Sequence, residues 1–246
     1  MQTMAFDGLG AVVTGGAGAL GSAVVRRLLD AGARVAVPAF SDQEAQRFEL
    51  RAHERVFTRA GVDLAADDQV EAFYDAAAEF CGGRIWASIH CAGGFAMAPI
   101  AQTGGAEFDR MMRSNALSCL LCCRAAIARM HAAPPGSPHE GGRIVNVAAR
   151  PALCPHEGRG MVAYAASKAA VAAITGALAE EVMGERIWVN AVVPSIIDTP
   201  ANRKAMPDAD HSAWPAVDQI ARTIEFLASP ANHVTRGALV PVYGLS

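Results

Sequence analysis

Neither sign of charge dominates this sequence: 21 basic residues stand against 24 acidic ones, a formal net charge of −3 over 246 residues. So even a balance carries no electrostatic footprint for a polyanion or a charged membrane surface, and neither nucleic acid nor membrane is expected as a partner. Regular cysteine spacing is missing too. The six cysteines follow no disulfide or metal-ligand pattern. The C-x-x-C from Cys119 to Cys122 lies in an apolar stretch with no second pair at ligand spacing, so it reads as small buried hydrophobes and no metal site. Residues 1–7 lack a basic-then-apolar leader pattern, and no uninterrupted apolar run approaches a membrane span. A reducing cytoplasm is the expected location. The chain has no internal repeat and no composition break. Its one linker-like stretch, 133–139, reads as a surface excursion between a helix and a strand. The length fits one α/β domain over 1–246.

What is present is alternation. Short β-branched runs at 11–13, 34–37, 55–58, 85–91, 143–147, 187–193 and 238–242 predict strands. Alanine-rich stretches at 19–31, 41–51, 67–80, 106–131, 161–183 and 216–227 predict the helices between them. Strands that alternate with helices imply parallel βαβ units with right-handed crossovers. The expected fold is α/β: a doubly wound parallel sheet of about seven strands with helices on both faces.

The first expected strand runs into Thr14-Gly15-Gly-Ala-Gly18-Ala19-Leu20-Gly21. Glycine there permits a tight turn, close approach of a pyrophosphate and close helix–strand packing, while the helix N-terminus attracts the anion. No Gly-Lys-Ser/Thr follows, which excludes a P-loop. At the end of the second strand, where an acid would select a free ribose 2′-hydroxyl, stands Ala39, with no adjacent arginine to hold a 2′-phosphate. The cofactor expected is NAD(P)H, with a slight lean to NADP(H). Asp63 and Leu64, after the third strand, are a plausible adenine contact, although a helix cap explains Asp63 equally well.

Further along, Tyr164 and Lys168 sit four apart on one helix face. A fixed ammonium beside a phenol favours the phenolate, drawing its pKa from ~10 toward neutrality. With the glycine turn, the pair predicts a nucleotide-dependent hydride-transfer enzyme that uses a tyrosine acid/base on a small-molecule substrate.

The glycine turn, Ala92-Gly93-Gly94, Asn115, Tyr164-x-x-x-Lys168 and Pro194…Thr199 come in the order and spacing of the short-chain dehydrogenase/reductase family, which the whole chain resembles. The resemblance implies a Rossmann-type domain. It makes Tyr164 the proton donor and Lys168 the holder of the nicotinamide ribose. Asn115 would help carry a relay water and Thr199 would touch the carboxamide. Two positions depart from the family pattern. Ala19 replaces a turn glycine, and Ala149 stands where a catalytic serine is expected. Loss of one such donor typically costs ~3 kcal/mol of transition-state stabilisation on a carbonyl.

A narrower resemblance joins 15–22 and 198–214 to the quinonoid dihydropteridine reductase branch, which also manages without the serine because its substrate is an electron-poor conjugated imine. That branch carries the strand-end acid that Ala39 lacks, and does not keep the asparagine. A substrate loop is expected at about 194–214, with Met206 and Trp214 either covering a flat heteroaromatic or simply closing the loop. Reduction of ordinary ketones or 3-oxoacyl thioesters is the alternative. A lapsed nucleotide-binding sensor or structural subunit is the alternative from another class. His156 is a candidate substitute for the missing serine hydroxyl, beside the commoner reading of a solvated loop histidine. His90 and Cys91 are expected to pack beneath the nicotinamide. The helix carrying Tyr164 is alanine-rich on nearly every face, which points to a homodimer or homotetramer.

Overall fold

Residues such as Val12, Val13, Val35, Val37, Ile144, Val145, Val189 and Val193 expose nothing to solvent, which is what a parallel strand needs when helices cover both its faces. The structure, a computed structural model, describes residues 5–131 and 140–246. The surface excursion expected at 133–139 lies outside them. Seven strands form: β1 (Gly10–Thr14), β2 (Arg34–Pro38), β3 (Val56–Arg59), β4 (Ala87–His90), β5 (Gly142–Val147), β6 (Ile187–Pro194) and β7 (Leu239–Val242). They make one parallel sheet in the order β3-β2-β1-β4-β5-β6-β7. All seven fall where the apolar runs placed them, with ends moved by one or two residues. The order reverses between β1 and β4, and a crevice opens there outside the carboxyl ends of the strands.

The helices are α1 (Ala19–Asp30), α2 (Asp42–Arg47), α3 (Asp67–Phe80), α4 (Gly105–Met111), α5 (Ser118–Met130), α6 (Arg150–Leu153), α7 (Val162–Glu181), α8 (Pro200–Ala205) and α9 (Val217–Ala228). One core lies between the sheet and α3, α5 and α7, the other between the sheet and α1 and α9. Two expectations change. The helix expected over 41–51 stops at Arg47, because Phe48 turns extended (ψ 104°) to bury its ring against the α1 face. The helix expected over 106–131 is interrupted by a π-helical turn, Met112–Leu117. Helix α7 is long and apolar enough to cross a membrane by itself, with a mean hydropathy of 1.4 over 18 residues. Its apolar run is not uninterrupted, because Ser167, Lys168 and Thr175 break it. Those same residues are buried, Lys168 and Thr175 on Val147 and Asn146 of β5 and Ser167 on Asn115, which makes α7 a core helix.

Candidate active site

The glycine turn lies at the crevice. Thr14 ends β1 and its Oγ1 accepts a hydrogen bond from the Ala92 amide at 3.2 Å. Gly15 has φ +65°, and a Cβ there would fall 2.7 Å from the Ala92 nitrogen. Gly21 lets α1 approach: its Cβ would lie 2.1 Å from the Gly15 carbonyl oxygen. Gly18 precedes α1 with no side-chain cap, so the first amides of the helix stay open. Ala19 and Leu20 form its first turn, Ala19 exposed and Leu20 half-buried. The cleft in front has a volume of about 460 Å³ and is lined in part by Gly15, Gly18, Asp63, Leu64, Ala92 and Gly93. An open helix terminus and a turn in which Gly15, Gly16 and Gly18 carry no Cβ fit a dinucleotide pyrophosphate.

At the ribose end, Ala39 is buried and offers only its backbone, paired with Arg59 and Val62. Another element fills the gap that it leaves. Glu44, on α2, turns back so that its Oε2 accepts from the Phe40 amide at 2.7 Å, and it lines the same cleft. The signal for this residue was Ser41-x-x-Glu44, a capping-box pattern at a helix start. Asp63 both lines the cleft and caps a turn: its Oδ1 accepts from the Ala65 amide at 2.8 Å.

The π-helical turn aims Asn115 at the loop after β4. Its Oδ1 accepts from the Gly94 amide at 3.0 Å, and its Nδ2 donates to the Gly94 carbonyl at 3.0 Å and to Ser167 Oγ at 2.9 Å. A Cβ on Gly93 would lie 2.4 Å from Asn115 Oδ1 and 3.4 Å from Lys168 Nζ. The asparagine side chain therefore ties the Gly93–Gly94 turn to α7. Beneath it a cavity of about 10 Å³, enough for one water, is lined by Thr14, His90, Asn115, Ser118 and Lys168, among others.

Tyr164 and Lys168 share one side of α7, as their spacing requires. Lys168 is buried and donates to the Val147 carbonyl at 2.7 Å. Burial pushes its ammonium down to about 8, against a smaller opposite pull from the Cys119 and Cys91 thiols. Burial also pushes the Tyr164 phenol up to about 12. The expected lowering of the tyrosine pKa by the lysine is therefore absent from the protein alone, where the ammonium is held on Val147. The Phe95 ring meets the Tyr164 ring edge-on, with centroids 5.0 Å apart, and is itself 58% exposed. Phe95 follows Gly93-Gly94 directly and was missed in the sequence, where only an aromatic after a glycine pair marks it. Ala149 is buried, extended, and heads α6 without any side-chain hydrogen bond. Neighbouring His156 points to solvent with an 81% exposed side chain.

The loop after β6 folds on itself. Pro194 is buried at the strand end. Thr199 caps α8 by accepting from the Asn202 amide at 3.2 Å. Asp198 holds Arg203 through both oxygens, at 2.6 and 2.8 Å. Trp214 is buried against His211, whose Nε2 lies 2.8 Å from the Met206 carbonyl. Of the two readings of Trp214, loop closure describes this placement.

His90, Cys119 and Cys123 bring three ligand atoms within 4.8 Å of one another, all buried. Both ring nitrogens of His90 are already engaged, Nδ1 with Asn146 Oδ1 at 2.7 Å and Nε2 with Ser88 Oγ at 2.8 Å. Cys91 lines the cofactor cleft, and burial pushes its thiol up to about 12, a poor nucleophile.

A cleft at the switch point of a doubly wound sheet, with an open helix terminus on its wall and Lys168 close behind Gly93 of its lining, is an arrangement that suits a dinucleotide. Residues 10–210 match the short chain dehydrogenase family model. The chain is similar to D-threitol dehydrogenase of Mycolicibacterium smegmatis, 32% identical over 97% of this chain and 92% of that protein. It resembles galactitol 2-dehydrogenase of Rhizobium johnstonii at 32% identity over 98% and 96%. It also resembles the sex determination protein tasselseed-2 of Zea mays, at 35% identity over 79% of this chain and 56% of that longer protein. A short-chain type dehydrogenase/reductase structure from Mycobacterium ulcerans superposes with a TM-score of 0.85 over 98% of this chain and 90% of that one, at 24% identity. The chain belongs to the short-chain dehydrogenase/reductase family and is an oxidoreductase.

Proposed function

We propose that the chain is an NAD(P)H-dependent reductase of a flat, conjugated, pteridine-like acceptor. A bound reduced nicotinamide supplies hydride. The chain's own residues orient it and deliver the proton. Gly15, Gly18 and the first turn of α1 would hold the pyrophosphate, Asp63 and Leu64 the adenine side, and Lys168 and Thr199 the nicotinamide end. Tyr164 stays protonated at neutral pH, as an acid must before it donates. The observation that carries the acceptor class is Ala149: a buried methyl group heads α6 at the end of β5, in a chain that keeps Tyr164, Lys168 and Asn115. A ketone builds alkoxide charge that such a site leaves without a serine-type donor, whereas a conjugated imine builds little. The exposed ring of Phe95 beside Tyr164 supports a flat substrate.

A second reading, reduction of ordinary ketones or oxidation of alcohols, is favoured by two of the relatives, which are named as polyol dehydrogenases. A panel of quinonoid dihydropterin, simple ketones and polyols, each with the matching NAD(P)(H), separates the two. Turnover of ketones or polyols alone would overturn the conjugated-acceptor reading. The proposed setting is cytoplasmic, and all six cysteines are free thiols. We also propose a homodimer or homotetramer through α7, whose outer face presents an exposed stripe of Val162, Ala166, Ala169, Ala173 and Ala177.

A further inference from the structure

We infer that Glu44 makes this protein selective for NAD(H) over NADP(H). The inference rests on the dinucleotide reading above and reverses the slight lean to NADP(H) that Ala39 suggested. The strand end carries no acid, but the cleft is not without one. Ser41 Oγ accepts from the Glu44 amide at 3.2 Å, and Glu44 Oε2 accepts from the Phe40 amide at 2.7 Å. These two bonds fold the first turn of α2 back over the end of β2. They fix the carboxylate half-buried on the cleft wall that Gly15, Gly18 and Asp63 also line.

The bond to Phe40 has two effects. It consumes an amide that could otherwise meet a phosphate oxygen. It also leaves the second oxygen of this cleft-lining carboxylate without a hydrogen bond among the described residues, so its acceptor capacity is open. A ribose 2′-hydroxyl can donate to that oxygen. A 2′-phosphate cannot, and it would add about −1.5 to −2 charge to a wall that already holds Glu44 and Asp63. The arginine of the lining, Arg113, donates its Nη2 to the Ala65 carbonyl at 3.2 Å. The carboxylate thus comes from the third residue of α2 instead of the strand end. It reaches the cleft because α2 begins two residues after the exposed Phe40, with only its cap Ser41 between.

Binding can be read without any substrate, by titrating the purified protein with NADH and NADPH and following nucleotide fluorescence. NADH should bind at least about tenfold tighter than NADPH, within the range that a hydrogen bond to a charged group supplies. Glu44→Gln keeps the capping pattern, so its melting temperature should hold, while the preference shrinks by about tenfold. Glu44→Lys should make NADPH the tighter ligand. Equal binding of both nucleotides, or tighter NADPH binding, by the unaltered protein would overturn the inference and leave the dinucleotide site standing. So would an NADH preference that Glu44→Gln leaves unchanged. Binding of neither nucleotide would remove the dinucleotide reading and this inference with it.

Discussion

Two buried cations sit at opposite ends of β5, and the protein treats them differently. Arg143, at the start of the strand, is 4% exposed, and Lys168, beside its end, is 6% exposed. The Arg143 guanidinium donates to the carbonyls of Gly142, Asn232 and Arg186 at 2.8, 2.7 and 3.4 Å. It also lies over the rings of Trp86 and Trp188, at 4.8 and 5.5 Å. Lys168 has one carbonyl partner among the described residues, Val147. Beside it lie a cleft and a one-water cavity where Arg143 has packed rings. Burial depresses both, Arg143 to about 10 and Lys168 to about 8. A cation whose two terminal nitrogens are hydrogen-bonded and whose plane is covered by rings serves the fold, although its Nε has no partner among the described residues. One left with donors to spare destabilises the fold and is available to chemistry.

The sharpest way to break this contrast is to remove each charge. Lys168→Met should lower turnover by 10²–10⁴-fold or more, the scale of a lost acid–base component, and weaken nucleotide binding. It should also raise the melting temperature, since an apolar side chain replaces an under-partnered buried charge. Tyr164→Phe should reduce turnover on the same scale while nucleotide affinity holds. A Lys168→Met protein that melts earlier than its parent would mean the lysine is structural after all.

Arg143→Met should do the reverse. Losing charged hydrogen bonds and two ring contacts should cost about 3 kcal/mol of stability, while kcat per folded molecule stays within about twofold. Urea titration alongside kinetics at low temperature checks both. Unchanged stability would show that the aromatic clamp contributes nothing net.

How much of this was legible beforehand follows from sequence distance. The glycine turn and the Tyr164–Lys168 pair are local patterns, a strand running into a helix and one helical turn, so their geometry follows from spacing. The sheet was legible for the same reason, as β-branched runs between helices. Asn115 was legible by type but not by contact: its partners Gly94 and Ser167 are 21 and 52 residues away, met only because a π-helical turn rotates it. The position of Glu44 depended on where α2 starts and on the burial of Phe48 just after its end, which helical periodicity does not mark. The clamp around Arg143 joins three strands' flanking residues to a turn after α9, and no local pattern announces it.

The two cations also separate on a pH axis. A base whose folded pKa lies below its unfolded value loses its proton first in the folded state. Its contribution is therefore fully present above the unfolded value, ~10.4 for lysine, and is lost as pH falls through the folded one. For Lys168 that window runs from about 10 down to about 8. For Arg143 it starts only above about 10. Across pH 8 to 10 the parent should gain about 2 kcal/mol relative to Lys168→Met. The difference cancels the thiols that do not act on Lys168, while Cys119 and Cys91, which pull on its ammonium, belong to the measured slope. The same comparison with Arg143→Met should show no slope in that window. Parallel curves for the parent and Lys168→Met would mean that the lysine titrates normally.

The smallest effect is expected just beyond the Lys168 end of β5, where Ala149→Ser restores a hydroxyl to the head of α6. Serine is a better helix-start residue than alanine, so a stability gain of up to about 1 kcal/mol would report that the side chain is accommodated. On a conjugated imine such as a quinonoid dihydropterin the new hydroxyl should change turnover less than about twofold. That acceptor spreads its developing charge over the ring system, and in the proposed reaction Tyr164 supplies the proton. On a ketone the same hydroxyl would face a localised alkoxide, and turnover should rise by up to ~10²-fold if the geometry survives. The ratio of the two activities before and after substitution decides between the acceptors, because folding and nucleotide binding cancel in it. A large gain on ketones, with no pterin reduction by either protein, would leave a carbonyl reductase that lacks one donor. A near-constant pterin rate beside a negligible ketone rate would mean that the site never needed the hydroxyl, and that the end of β5 is shaped around Lys168 and Tyr164 alone.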